Sequence, residues 1–142
     1  MLCVDVNVLV YSHRPESPEH GRYKAWLEDH RNSHQPIGLL PVVCSGFLRV
    51  VTHPRIFREP TPLADAFDFV RGLRLSPSVL TVTPGDRHWT IFEELCAAVE
   101  AKGNVVPDAF LAAAAIEQGA TWVTADHGFA RFPGLRILNP LD

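Results

Sequence analysis

The stretch CVDVNVLVY, residues 3–11, decides how the fold is interpreted. Valine occupies positions 4, 6, 8 and 10, and this two-residue period predicts a buried β-strand from Cys3 to Tyr11. Asp5 and Asn7 would then lie on the same face of that strand. A buried carboxylate is costly unless it is paired or bound to a cation. Asp5 is therefore the first candidate functional residue of the chain.

Four later segments have the apolar, β-branched composition of short strands, and helix-forming segments separate them. The strand candidates are residues 37–40, 78–83, 121–125 and 135–138, and the helix candidates are residues 15–31, 41–51, 60–75, 86–102 and 107–119. Ser17 is a suitable N-cap for the first helix, with Pro18 in its first position. Strands that alternate with helices predict a parallel sheet covered on both faces, because parallel pairing needs helical crossovers. The expected fold class is α/β with three layers, and its functional crevice lies beyond the carboxyl ends of the strands.

The length and composition indicate a single folded domain that spans residues 1–142. With 13 basic and 16 acidic residues, the formal net charge is −3, so the chain lacks the overall positive charge of a non-specific nucleic-acid binder. The longest uncharged run, residues 35–48, is interrupted by proline and is too short to span a membrane, and the N-terminus does not resemble a secretory signal. We therefore expect a cytoplasmic protein without a membrane segment. Its three cysteines are expected to be buried, reduced thiols: Cys3, Cys44 and Cys96.

Two more aspartates occupy positions that match that of Asp5. Asp126 follows the predicted strand, and Asp108 begins the apolar helix 107–119. Taken singly, Asp108 could serve the helix terminus and Asp126 could belong to a turn. Carboxylates gathered at one point repel each other unless a cation neutralises them, and all-oxygen ligands select hard ions such as Mg²⁺ or Mn²⁺. The three residues therefore predict a metal site for hydrolysis at phosphorus, where the ion lowers the pKa of a water molecule.

Other polar side chains complete the predicted site. The candidates for orienting a carboxylate or a water molecule are Asn7, Thr124 and Asn104. A separate basic segment, RVVTHPRIFR at residues 49–58, could meet a polyanion locally or form a solvated helix end. Its candidate polyanion-binding residues are Arg49, His53, Arg55 and Arg58.

Seven histidines raise the rival possibility of acid–base catalysis without a metal. None of them has the spacing of a zinc pair, and His88, at the start of a helix, could be a surface residue or a residue that interacts with the helix dipole. The tryptophans occupy apolar stripes or strands, so they are expected in the core rather than on a base-stacking surface. They are Trp26, Trp89 and Trp122.

Three segments together resemble one known family. VDVNVLVY at residues 4–11, GFLRVVTHPRIF at residues 46–57 and VVPDAFLAAAAIEQGATWVTADHGFARF at residues 105–132 are similar to the PIN domain, and more narrowly to the VapC toxins of bacterial VapBC toxin–antitoxin systems. The resemblance implies a parallel five-stranded sheet of order 3-2-1-4-5 and a Mg²⁺- or Mn²⁺-dependent endoribonuclease that cuts structured RNA such as tRNA or rRNA. It also implies a cognate VapB-type antitoxin, which blocks the toxin's site, and a toxin homodimer. The acidic positions of the family match Asp5, Asp108 and Asp126, and its polar companions match Asn7 and Thr124.

The chain departs from the family pattern at two positions. Gly46 stands where a Glu is usual, and Gly128 stands where many relatives carry a further Asp. Three carboxylates can still hold one hydrated ion, so we expect one well-formed metal site with a weak second site. Two other functions remain open from the residues: a module that binds RNA or an antitoxin without cutting, and an α/β phosphatase that acts on small esters.

Overall fold

Five short strands form one parallel sheet in this computed structural model, which describes residues 1–142. They are β1 (Leu2–Val4), β2 (Ile37–Leu39), β3 (Val79–Thr81), β4 (Thr121–Val123) and β5 (Arg136–Leu138). Their order across the sheet is β3-β2-β1-β4-β5, and every neighbouring pair is parallel. Successive residues of β1 and β2 face opposite sides and all are buried, so these strands are covered on both faces. The predicted α/β class and the strand order 3-2-1-4-5 are confirmed.

Six α-helices connect the strands. They are α1 (Val6–His13), α2 (His20–Arg31), α3 (Pro41–Val51), α4 (Leu63–Arg74), α5 (His88–Val99) and α6 (Val105–Glu117). A short 3₁₀ helix, His127–Arg131, lies between β4 and β5. No helix combines the length and the apolar character that a membrane crossing requires.

The opening stretch CVDVNVLVY does not form the single strand that its alternation predicts. β1 ends at Val4, and α1 begins at Val6 with Asp5 as its N-cap (φ −83°, ψ 162°). The Asp5 carboxylate accepts a 2.7 Å hydrogen bond from the Val6 N–H, which is a favourable way to start a helix. The pattern is ambiguous because residues 8–10 are all buried, and a helix enclosed on most sides is apolar at nearly every position. The prediction of a strand across residues 5–11 is therefore wrong.

Two other helices begin at residues different from those predicted. α2 begins at His20 rather than after Ser17, and Glu19 precedes it in a left-handed conformation (φ 57°). α6 begins at Val105, two residues before Pro107. Proline is tolerated there because the first N–H groups of a helix have no intrahelical partner. Asp108, which was predicted at the start of this helix, still lies in the first turn of α6.

The aromatic residues divide between core and surface differently from the prediction. Trp122 is completely buried, as expected, and Trp26 is half-buried, but Trp89 is 65% exposed. His88 is buried instead of exposed, and its Nε2 lies 2.9 Å from the Phe110 carbonyl oxygen. Adjacent helix positions point about 100° apart, so a helix that turns His88 inward turns Trp89 outward. The core prediction is wrong for Trp89. Of the two roles considered for His88, the surface one is wrong, although the residue does begin α5.

The cysteines are all free thiols. Cys3 is fully buried, and burial raises its pKa to about 11. Cys44 and Cys96 are only partly buried, so the prediction of buried thiols is confirmed for Cys3 alone.

Candidate functional site

Polar residues singled out from the sequence lie at the carboxyl ends of β1 and β4, which are adjacent parallel strands. Asp5 follows the last residue of β1, and Thr124 follows the last residue of β4. The chain continues from β1 to β2 on one side of the sheet and later enters β4 on the other side, so the strand order reverses here. In open α/β sheets, the crevice at such a reversal is the usual position of functional side chains.

Asp5 is a buried carboxylate with three hydrogen-bond donors. Its Oδ1 accepts from the Val6 N–H at 2.7 Å, and its Oδ2 accepts from the Thr124 hydroxyl at 2.7 Å and from the Asn7 amide at 3.2 Å. A carboxylate offers about four lone-pair sites, so one site remains, on Oδ1. Asp5 can therefore make one further bond, in a direction that its neighbours fix.

Asn7 and Thr124 join the start of α1 to the turn that follows β4. The Asn7 side chain donates to the Thr124 hydroxyl oxygen at 3.2 Å, and its Oδ1 accepts from the Ala125 N–H at 3.1 Å. The same hydroxyl accepts from the Asp126 N–H at 3.0 Å while it donates to Asp5. This network ties the Asp5 carboxylate to the backbone of the turn that carries Asp126.

The other two predicted acids are more accessible than Asp5. Asp108 is half-buried in the first turn of α6, and its carboxylate makes no hydrogen bond. Asp126 is exposed and caps the 3₁₀ helix, since its Oδ1 accepts from the Gly128 N–H at 2.8 Å. The turn role considered for Asp126 is therefore real, but it occupies only one of the two carboxylate oxygens.

The three carboxylates influence each other's protonation. Burial is the largest influence on Asp5 and raises its pKa above the ordinary value, although its hydrogen bonds oppose that effect. The charges of Asp108 and Asp126 raise the pKa of Asp5 further. Burial and the Asp126 charge also raise the pKa of Asp108, against a lowering by Arg131. The negative charges therefore repel each other, and a cation between them would relieve that repulsion.

The oxygen donors fit a hydrated hard cation better than an ion enclosed by protein ligands. No group of three or more His, Cys, Asp or Glu side chains is close enough to hold one ion together. Mg²⁺ commonly takes one or two carboxylates and completes its shell with waters and substrate phosphate. Asp5 has one open lone pair and Asp108 has two unbonded oxygens, so these two carboxylates are the best suited to direct contact with such an ion.

Two further sequence positions lie outside this network. Asn104 precedes α6, is exposed and makes no side-chain hydrogen bond, so nothing couples it to the acids. Gly46 of α3 packs against α1: a Cβ atom there would lie 2.9 Å from Cγ2 of Val6, the residue after Asp5. The position of the missing Glu thus borders the site, and close packing of α3 on α1 explains the glycine.

The basic segment 49–58 carries unpaired cations. Arg49 lies in the last turn of α3, and Arg55 and Arg58 follow that helix. All three are exposed, and none forms an ion pair or a side-chain hydrogen bond. His53 is half-buried, and its Nδ1 accepts from the Arg55 N–H at 3.0 Å, which gives it a structural role in the turn.

Arg14 fixes the end of this segment against α1. Its guanidinium donates to the Thr61 hydroxyl at 2.9 Å and to the Glu59 carbonyl oxygen at 2.8 Å, and it lies 4.2 Å from the centre of the Phe57 ring. The Thr61 N–H also donates to the Val51 carbonyl oxygen at 2.8 Å. The free arginines are thus carried on a segment that is anchored at its far end.

Sequence reasoning missed Arg131, the last residue of the 3₁₀ helix. Its Nε donates to the Gly128 carbonyl oxygen at 2.7 Å, and its charge lowers the pKa of Asp108. The available signal was its place in the motif ADHGFAR, five residues after Asp126. A basic residue that soon follows a candidate metal ligand in a turn belongs among the candidate site residues.

Comparison with known proteins agrees with this fold. Residues 2–135 match the PIN domain family. The chain is 51% identical over 142 residues to Ribonuclease VapC43 of Mycobacterium tuberculosis, which covers 100% of this chain and 97% of that protein. It is 38% identical over 140 residues to Ribonuclease VapC25 of the same species, covering 99% of each protein.

A solved structure has the same fold at much lower sequence identity. The VapBC2 structure from Rickettsia felis, bound to a DNA fragment from its promoter, matches with a TM-score of 0.73 and 19% identity, covering 97% of each chain. At this identity, the likeness supports the fold alone.

Proposed function

This chain belongs to the PIN domain family, and we propose that it is the toxin of a VapBC toxin–antitoxin system, a Mg²⁺- or Mn²⁺-dependent endoribonuclease. Relatives named as VapC ribonucleases are similar to it over its full length. The observation that carries the proposal is the buried Asp5 carboxylate, which three donors hold beside two further acids.

Each residue of the site has a distinct task in this proposal. Thr124 and Asn7 keep the Asp5 carboxylate ionised and oriented, because hydrogen bonds to the charged form favour it. Asp108 and the free oxygen of Asp126 supply further negative charge at the mouth of the site. A bound Mg²⁺ or Mn²⁺ supplies a Lewis acid that offsets phosphate charge and lowers the pKa of a water molecule. Asp5 and Asp108 would hold the ion, with Asp126 acting directly or through water.

The proposed substrate is structured RNA such as tRNA or rRNA, cut at a phosphodiester bond in the cytoplasm. The formal net charge of −3 opposes general binding of a polyanion, so attraction must be local. The exposed and unpaired arginines of the basic segment, residues 49–58, are suited to that role. We propose that Arg49, Arg55 and Arg58 hold the RNA backbone, with His53 shaping the turn that carries two of them.

The proposed protein partners are a VapB-type antitoxin and a second copy of the chain. The antitoxin is inferred from the VapC relatives and from the VapBC2 structure. For the homodimer, a 280 Å³ apolar groove lined in part by Val42, Phe92 and Val106 offers a surface, and the exposed Trp89 ring packs edge-on against Phe92. Exposed apolar patches of this kind commonly mark protein interfaces.

Light scattering on the full chain tests the dimer. Trp89→Ser is expected to convert a dimer into a monomer, while Leu75→Ser, which changes another exposed apolar residue just after α4, is expected to leave the mass unchanged. A wild-type protein that is monomeric at micromolar concentration contradicts the homodimer.

RNA cleavage by the purified, antitoxin-free protein tests the activity. EDTA is expected to abolish cleavage and Mg²⁺ or Mn²⁺ to restore it. Asp108→Asn is expected to lose cleavage, while Asp29→Asn, which changes an exposed acid on α2, is expected to keep it. Equal cleavage in EDTA contradicts the metal mechanism, and mapping 5′ ends of cellular RNA after brief induction identifies the target.

One observation favours a second candidate function. Because no three acids are close enough to hold an ion together and Gly46 supplies no side chain, the protein could bind RNA or an antitoxin without cutting. Calorimetry with Mn²⁺ separates the two functions: a binding module predicts no heat of Mn²⁺ binding and unchanged RNA affinity in the Asp5→Asn and Asp108→Asn variants.

A further inference from the structure

Gly128 lies close to two opposite charges, which leave little room for a side chain. A Cβ atom at this residue would lie 3.0 Å from Nη2 of Arg131 and 3.0 Å from Oδ1 of Asp126. Gly128 is not among the glycines with a positive φ, so its backbone does not require glycine. The constraint is the space, because any side chain at position 128 would press on the guanidinium or on the carboxylate.

The Arg131 guanidinium is anchored but retains unused donors. One of its five N–H groups, on Nε, bonds the Gly128 carbonyl oxygen at 2.7 Å, and the other four have no hydrogen-bond partner in the protein. Arg131 is exposed and forms no ion pair, even though its charge acts on Asp108. A cation that is anchored through its Nε therefore acts on Asp108 without forming an ion pair with any acid.

A phosphate group is the ligand that best fits these donors. The planar guanidinium presents its N–H groups in a fork that matches two phosphate oxygens, and such charge-assisted hydrogen bonds are stronger than neutral ones. Three carboxylates alone would repel the phosphate of an incoming RNA, whereas a fixed cation at their edge would attract it.

We propose that Arg131 binds a phosphate of the RNA backbone at the acid site, through the guanidinium N–H groups that have no partner in the protein. This inference rests on RNA being the substrate, as in the proposed function, but it requires neither cleavage nor a bound metal. A carboxylate at position 128 would pair with the guanidinium and repel phosphate, so the identity of residue 128 controls the same binding event.

Fluorescence anisotropy with a 5′-labelled single-stranded RNA oligonucleotide in EDTA tests the inference on the full chain. Arg131→Ala is expected to weaken binding about tenfold, which is the loss of a charge-assisted bond. It should also reduce the slope of log affinity against log salt by about 0.7, the value for one phosphate contact on a single strand. Arg131→Lys should keep the slope and lose part of the affinity, and Gly128→Asp should weaken binding as Arg131→Ala does.

Arg87→Ala is the matched control. Arg87 is exposed, its side chain makes no hydrogen bond, and its N–H donates to Glu117 at the far end of α6 from Asp108, about 13 Å along that helix. The RNA affinity and the salt slope of the Arg87→Ala variant should equal those of the wild type. A melting temperature and a heat of Mn²⁺ binding for each variant separate lost phosphate contact from a structural defect.

The outcomes separate this inference from the proposed function. Wild-type affinity and slope in both Arg131→Ala and Gly128→Asp overturn the inference, as does a wild-type protein that binds no RNA in EDTA. If Arg131→Ala lowers the melting temperature but leaves RNA affinity and the salt slope unchanged, Arg131 has a purely structural role and the inference is overturned. If RNA binding depends on Arg131 but the wild type never cuts RNA, the inference holds and the proposed ribonuclease activity fails.

Discussion

The Thr124 hydroxyl donates a 2.7 Å hydrogen bond to the Asp5 carboxylate and links two residues that are 119 positions apart in the chain. Both groups are buried, and the bond opposes the effect of burial, which alone would favour the protonated acid. Thr124 therefore helps to keep Asp5 ionised at the point where the central strands end.

Replacing Thr124 tests this relationship. Thr124→Val keeps the shape of the side chain but removes the donor, so the pKa of Asp5 should rise further and the acid limb of the pH–rate profile should move up by about one unit. Thr124→Ser keeps the hydroxyl and should keep the wild-type limb. An unchanged limb in Thr124→Val would mean that Asp5 does not control the activity.

The raised pKa values also predict how stability depends on pH. Burial raises the pKa of Asp5 and Asp108 in the folded state, so the native protein binds protons more tightly than the unfolded chain. This contribution is most favourable at low pH, and it is lost as the pH rises from the ordinary carboxyl value of about 4 through the raised folded values.

Asp5→Asn removes the charge of that carboxylate and also one of its two acceptor oxygens, which the bonds from Val6, Thr124 and Asn7 share. The lost hydrogen bonds lower the stability of the variant, so the charge is tested by the trend with pH: in EDTA, the melting temperature of the variant minus that of the wild type should be larger at pH 7 than at pH 4. Addition of Mn²⁺ should raise the melting temperature of the wild type more than that of the variant, because a bound cation offsets the buried charge. A difference in melting temperature that stays the same between pH 4 and pH 7 in EDTA contradicts the prediction.

Strand composition and helical crossovers are local and topological signals, so they predicted a parallel sheet, whereas its order of strands came from the resemblance to the PIN domain. The opening stretch was misread because a buried helix and a buried strand can carry the same apolar residues, and Asp5 proved to be a helix N-cap. Asn7 contacts Asp5 as expected, but from the first turn of α1 rather than from the same face of a strand. Asn7 does contact Asp5, but the predicted geometry, two residues on one face of a strand, is wrong.

The rest of the site depended on tertiary geometry that local patterns do not encode. Arg131 stands beside the acids only because the 3₁₀ helix turns it back toward Gly128. Asn104 is near Asp108 in sequence, yet its side chain joins no hydrogen bond. The position in the sequence was enough to identify Asp5, Asn7 and Thr124 as candidates. The direction of each side chain, which the sequence does not show, decides which nearby polar residues join their hydrogen bonds.

Gly46 gives a prediction about packing between α3 and α1. A Cβ atom at residue 46 would lie 2.9 Å from Val6 Cγ2, and a β-branched side chain in a helix has little freedom to move away. Overpacking costs about 1–3 kcal/mol and the gain in helix propensity returns about 1 kcal/mol, so Gly46→Ala should lower the free energy of unfolding by on the order of 1 kcal/mol.

A double-mutant cycle by urea denaturation in EDTA tests that packing account. In the Val6→Ala background, the contact disappears and Gly46→Ala should stabilise the protein instead. Gly72→Ala on α4 is the matched control, because its nearest neighbour beyond its own helix is 3.8 Å away and only the propensity gain remains. If Gly46→Ala stabilises the wild type as much as Gly72→Ala does, close packing is not the reason for the glycine.

The basic segment should act on RNA binding rather than on the chemical step. Arg55 and Arg58 are exposed and unpaired, and removal of both charges should reduce the salt slope of RNA affinity by about 1.4, the value for two phosphate contacts on a single strand. Since these residues are proposed to hold the backbone and not the reacting phosphate, the double alanine variant should raise KM and leave kcat near the wild-type value. Steady-state cleavage at two salt concentrations measures both effects, with Arg87→Ala as the control that changes neither. A fall in kcat at unchanged KM would instead assign the segment to the site of reaction.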